Sequence, residues 1–169
     1  AIQYLFDLLI LIFQQGPSIL KNFGHPKVLH FHQTLKKVNR ERHRMQAFIR
    51  FQQSTDGLYF AIIDPDFNVL PLLLKFFKNR YTDQNWMIYD VKRDYGMLYN
   101  QTSIEEVNLS PNQSLELSTT TIELTEEENY FQNLWKQYFK STNIIERKNM
   151  KLHIQHVPRR YWKYLIEKQ

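Results

Sequence analysis

At 169 residues the chain has room for one domain, and its 43% hydrophobic and 15% aromatic content supplies a core and excludes wholesale disorder. The absence of cysteine excludes disulfides, thiolate zinc sites and cysteine nucleophiles, and it fits a reducing cytoplasm, where the protein is expected. The net charge of +5 is sorted: residues 101–130 carry seven acidic side chains and no Lys or Arg, so the rest holds 22 basic against 10 acidic residues, a net of +12.

The apolar run Ile2–Phe13 is about a dozen residues long and contains Gln3 and Asp7. A spanning helix needs about 20 apolar residues, so a buried amphipathic helix is expected and no membrane. The run also lacks the basic start and the cleavage site of a signal peptide. Gly16-Pro17 ends it. The chain opens on Ala1 rather than Met, which is compatible with a fragment of one domain, 1–169, lacking N-terminal residues. A second helix is expected from Pro26, where the missing N–H costs nothing. Val28, Phe31, Leu35, Val38 and Met45 give it an apolar stripe, while Lys36, Arg40 and Arg44 recur every fourth position as a basic ridge.

Past Met45 the apolar period changes to two. Ala47, Ile49 and Phe51 alternate with Phe48, Arg50 and Gln52, which predicts a strand, and Thr55-Asp56-Gly57 turns it into a second, Leu58–Ile63. Asp64-Pro65-Asp66 breaks the sheet, and Asn68 is the expected cap of a third helix ending at Lys78-Asn79-Arg80. Its leucines and phenylalanines cover much of its girth and predict burial between layers. Trp86–Val91 and Met97–Asn100 read as an antiparallel pair. Residues 101–124 are expected to form a long, mobile, polar acidic loop with at most a weak strand near Ile104.

The C-terminal third reads as helical. Thr125 with Glu128 has the spacing of a capping box, and Tyr130, Phe131, Leu134, Trp135, Tyr138 and Phe139 predict a wide buried face. Asn143 with Glu146 repeats the capping signature, and Val157-Pro158 separates that helix from a last one. The fold class that follows is α+β: a small antiparallel sheet of four or five strands packed against N- and C-terminal helices.

Several blocks in series resemble a known family. Glu41-Arg42-His43-Arg44-Met45-Gln46-Ala47-Phe48-Ile49-Arg50-Phe51 is similar to the "E-x-H-R-M-x-x-F-x-R-F" opening of a bacterial family of DNA-metabolism or DNA-repair proteins. The likeness continues through Asp64-Pro65-Asp66, Phe76-Phe77 with Arg80, Trp86-Met87-Ile88-Tyr89-Asp90 with Arg93, and Leu134-Trp135-Lys136-Gln137-Tyr138-Phe139. It closes on Ile145-Glu146-Arg147-Lys148-Asn149 and Pro158-Arg159-Arg160-Tyr161-Trp162. The chain departs from the pattern after Asn149, where no Gln follows until Gln155. The resemblance implies a DNA-repair context, with a radical-SAM protein or a uracil-DNA-glycosylase-like protein as partner. It assigns no reaction.

Four glycines leave little material for a P-loop, and no dinucleotide fingerprint or nucleophile elbow occurs, so no cofactor is expected. His30 and His32, two apart on an expected helix, point to different faces, His153 and His156 lack a carboxylate at matching spacing, and no metal is expected. Three function classes remain. The first is a nucleic-acid-binding accessory protein that presents DNA to a partner enzyme. Its contacts would be Lys36, Arg40, Arg44, Arg50, Arg80, Arg93, Arg147, Asn149, Arg159, Arg160, Trp162 and Lys163, since cations neutralise phosphates and aromatic faces stack on bases. The second is an enzyme acting on a base or phosphodiester, with Glu41, His43 and Asp90 as acid–base candidates. The third is a protein-interaction module whose basic face docks an acidic partner.

Overall fold

The computed structural model describes residues 2–108, 125–142 and 149–168. The chain divides into two compact units, Ala1–His43 and Arg44–Gln169.

In the first unit, helix α1 spans Ile2–Gln15 and ends at Gly16, whose φ of 78° suits a residue without Cβ. A 3-10 turn, Pro17–Lys21, leads to helix α2, Pro26–Phe48, which starts on Pro26 as its sequence dictates. Leu8, Leu11, Ile19 and Val28 form the buried cluster, with Ile12, Leu20 and Phe31 packed against it. Lys27 bonds Asp7 at 3.0 Å and His32 meets the Leu20 carbonyl at 2.9 Å, which ties α2 to the segment before it.

The second unit holds a five-stranded sheet in the order β1-β2-β3-β4-β5, with β1 Gln52–Gln53, β2 Tyr59–Ile63, β3 Trp86–Asp90, β4 Tyr95–Tyr99 and β5 Ile104–Val107. Three pairings are antiparallel. The fourth, β2 with β3, is parallel, from Tyr59 opposite Trp86 to Ile63 opposite Asp90. Helix α3, Leu70–Arg80, is the crossover that parallel neighbours require. The sheet is therefore mixed, mostly antiparallel, and the fold is α+β as its sequence predicts.

Three local expectations are corrected. The strand expected over 47–52 is helix to Phe48, because Met45 and Ile49 lie one turn apart and are both buried; the Ile49 N–H donates to the Met45 carbonyl at 3.0 Å. The β1 strand keeps just two residues. Asn68 does not cap α3: Val69 holds that position without a side-chain bond, and the Asn68 side-chain oxygen Oδ1 instead accepts from the Tyr95 hydroxyl. α3 buries one stripe, Leu70, Leu73 and Phe77, and leaves Leu72 and Phe76 exposed, since one of its faces meets the sheet.

Helix α4, Glu126–Thr142, begins as expected, with the Thr125 hydroxyl accepting from the Glu128 N–H at 3.1 Å. Its aromatic face is not buried. Phe131 is 60% exposed and Tyr138 59%, and Tyr130, Leu134 and Trp135 are also exposed. Periodicity marks an apolar face; it does not supply the surface that covers it. The short helix α5, Met150–His156, is capped by Asn149, whose side chain accepts from the Leu152 N–H at 3.0 Å. Two 3-10 turns follow, Arg159–Tyr164 and Ile166–Lys168. The Asn143–Glu146 capping signature and residues 109–124 of the acidic loop lie outside the described residues; Ile104–Val107 forms the edge strand.

Gly96 sits opposite Tyr89 on the β3–β4 ladder. A Cβ there would come within 2.7 Å of the Tyr89 ring, which is buried and held by its hydroxyl to Asp94 at 2.6 Å. Gly96→Ala is expected to cost about 1–3 kcal/mol, the usual cost of overpacking, read as a lower denaturation midpoint in urea.

Candidate functional site

The polar residues of the second unit gather where β2 and β3 end side by side. In sheets with parallel strands, this carboxyl edge is where ligands commonly bind. Here a network of charges fills it. Asp90, 0% exposed, closes β3; its carboxylate accepts from the Lys92 N–H at 3.0 Å, the Arg93 N–H at 3.3 Å and Arg93 Nη1 at 2.8 Å. Arg93 also donates to the Pro65 carbonyl at 3.0 Å and the Asp66 carbonyl at 2.8 Å. One guanidinium thus clasps the β3–β4 turn to the Asp64-Pro65-Asp66 loop that follows β2.

The carboxylates of that loop face the C-terminal turn. Asp66 pairs with Arg160, and with Lys92 at 3.7 Å; Asp64 pairs with Lys163 and accepts from the Tyr164 hydroxyl. The Asp64 N–H points back at the Tyr164 oxygen, 2.9 Å away. Asp90, Arg93, Arg160 and Lys163 therefore do converge, as a set of ion pairs.

The other sequence candidates are placed differently. Glu41 is buried at 2% and His43 is exposed; two positions on a helix are about 200° apart, so this pair does not meet. Arg50, expected mid-strand, lies just past the end of α2. Its Nη1 donates to the Ala47 carbonyl at 2.8 Å and the Ile49 carbonyl at 3.3 Å, and Nη2 lies 3.6 Å from Glu167. A cation on the last carbonyls of a helix also meets the negative end of its dipole. Arg80 is exposed and donates from Nε to the Tyr81 hydroxyl at 3.3 Å. Lys36 and Arg40 are exposed on α2 in the first unit. Asn149 is spent on its helix cap, and Arg147 lies outside the described residues.

A second constellation is basic and aromatic. Arg44 lies 5.6 Å from the Tyr161 ring centroid, Arg160 4.6 Å from the same ring, Arg159 5.9 Å from Trp162 and Lys163 5.4 Å from Tyr164. Lys168 stands 4.4 Å from Phe139 and 5.5 Å from Trp162. Among the described residues, Arg44, Arg159 and Lys168 have no carboxylate within ion-pair distance. Sequence reading singled out most of this strip but missed Lys168, which follows the recognised Tyr161-Trp162 block by six positions. It missed equally the polar groups around Trp86, Gln46 and Gln84 among them, because neither glutamine stands out in a sequence.

No group of three or more metal-ligating His, Asp or Glu side chains forms among the described residues, and no helix among them is long and apolar enough to cross a membrane. His153 contacts the Trp162 ring at 5.9 Å, and its Nε2 is buried without a hydrogen-bond partner among the described residues. Burial, helped by the nearby Lys168 charge, holds its imidazole below the ordinary 6.5.

No curated protein and no solved structure matches the chain. A family model described as "Domain of unknown function (DUF4130)" matches residues 1–167.

Two outcomes follow for stability. Arg93→Ala leaves a buried carboxylate without its cation and is expected to cost about 3–5 kcal/mol in urea denaturation, with Asp90→Asn milder because its backbone donors remain. The His153 contribution is complete above the imidazole pKa of the unfolded chain and falls away as pH drops toward the lower folded value. The denaturation midpoint should therefore decline as pH falls through and below about 6.5, and His153→Gln should flatten part of that decline. The chain belongs to the DUF4130 family.

Proposed function

We propose that this protein is a nucleic-acid-binding accessory factor of DNA metabolism, acting in the cytoplasm and presenting DNA to a partner enzyme. The observation that carries the reading is the strip formed by Arg44 and residues 159–168, in which five cations each stand over an aromatic ring. Such a surface binds polyanions in two ways at once: cations release counterions from phosphates, and rings offer faces to unstacked bases. Arg44, Arg159 and Lys168, which have no carboxylate partner among the described residues, are the natural phosphate contacts. Arg160 and Lys163 are partly neutralised by Asp66 and Asp64 and serve to hold the strip on the sheet.

The partner follows from the family resemblance of the sequence blocks: a radical-SAM protein or a uracil-DNA-glycosylase-like protein receives the DNA. An enzymatic role for this chain draws no support from Glu41, His43 and Asp90. The first two diverge on α2, and the third is saturated by two N–H groups and a guanidinium.

Fluorescence anisotropy of labelled single- and double-stranded oligonucleotides across a salt series tests the reading. Log affinity should fall linearly with log salt, and Arg159→Ala or Lys168→Ala should each reduce the slope by about 0.7–0.9. Affinity independent of salt, or no binding at low salt, overturns it.

A further inference from the structure

A cavity of about 530 Å³ opens between the last turn of α2, the end of α3 and the first residues of β2 and β3. That size is within the roughly 300–1,000 Å³ of small-molecule sites. Its aromatic walls include Phe51 and Tyr81, which are half-buried, and Phe77 and Trp86, which are 2% and 1% exposed and packed against Phe51 at 5.4 and 6.1 Å between ring centres. Its polar lining residues are Gln46, Gln84, Tyr59, Arg50 and Arg80. Among the described residues no Asp or Glu lines it.

Each feature restricts the occupant. Two guanidinium groups and no carboxylate disfavour a cation, so the aromatic walls do not serve a quaternary ammonium. Arg50 is already engaged by two carbonyls and Glu167, whereas Arg80 is exposed and has no carboxylate partner among the described residues. Arg80 is therefore free to meet a phosphate at the rim. The two glutamine amides each present a donor and an acceptor, the pattern that reads a base edge. Trp86 is 1% exposed, and its N–H is a buried donor with no acceptor among the described residues. That donor is sealed from the cavity, so the occupant is read from the groups with accessible surface, Phe51, Tyr81, Gln46, Gln84 and Arg80.

We propose that this cavity receives an unpaired nucleobase, stacked on Phe51 and Tyr81, with the strand's phosphate on Arg80. This rests on the nucleic-acid reading above and assigns it a substrate class: strands with bases free of pairing. A duplex holds its bases in the stack and cannot fill the cavity without extruding one.

The test compares the full chain's affinity for a single-stranded oligonucleotide with that for an abasic strand of equal length and charge, in wild type, Tyr81→Ala and Gln84→Ala. Base stacking in the cavity predicts a preference of about tenfold for the base-bearing strand. Tyr81→Ala should remove most of that preference and Gln84→Ala should reduce it several-fold, each by weakening the base-bearing strand more than the abasic one. Should Tyr81→Ala fail to fold, as thermal denaturation would reveal, Gln84→Ala decides alone. A preference that survives in the folded variants overturns the cavity proposal. So does equal affinity for the two strands, which leaves the polyanion reading standing. Binding to neither strand defeats both.

Discussion

The second unit depends on what happens at the ends of two parallel strands. Parallel pairing of β2 and β3 brings two chain ends to one edge of the sheet, each leading into a loop whose carbonyls need donors. Arg93 supplies them. Its guanidinium reaches the buried Asp90 carboxylate and the Pro65 and Asp66 carbonyls, so one side chain fixes the β3–β4 turn and the approach to α3 together. Lysine carries no such fork, and a single ammonium could not meet the three oxygens with the same directionality.

The same loop also sets which cations are paired. Asp64 and Asp66 take Lys163 and Arg160 and pin the C-terminal turn to the sheet. Among the described residues, Arg44, Arg159 and Lys168 have rings beneath them and no carboxylate partner. A cation on a ring keeps its full charge and most of its donors. Carboxylate pairing and ring stacking thus divide the cations of this strip, Arg160 and Lys163 taking the first and Arg44, Arg159 and Lys168 the second.

Local signals made much of the fold legible. Gly16-Pro17, Pro26 and Thr125 set helix ends through backbone geometry that a few adjacent residues determine. The alternation at 47–52 misled because Met45 and Ile49 satisfy a helical period equally well, and burial on α2 decided between them. Parallel pairing of β2 and β3 was not legible, since either orientation of two apolar strands suits the same pattern. The Asp90–Arg93 bridge could be read from spacing. The pairing of Asp64 with Lys163, 99 positions away, depends on the whole chain path. The α4 face shows the converse limit: its period was right, and its burial depends on partners that the period does not specify.

The two borders of the sheet share a property with a bearing on assembly. β1 has two residues, and β5 contains Glu105 and Glu106, both exposed. A two-residue border offers an incoming strand almost no ladder, and β5 carries one exposed carboxylate on each face, which repels another acidic border. Strand-on-strand growth, whether into fibrils or onto a partner's sheet, is thereby discouraged at both sides. Among the described residues, both borders of the sheet are thus poor templates for a backbone ladder with another chain.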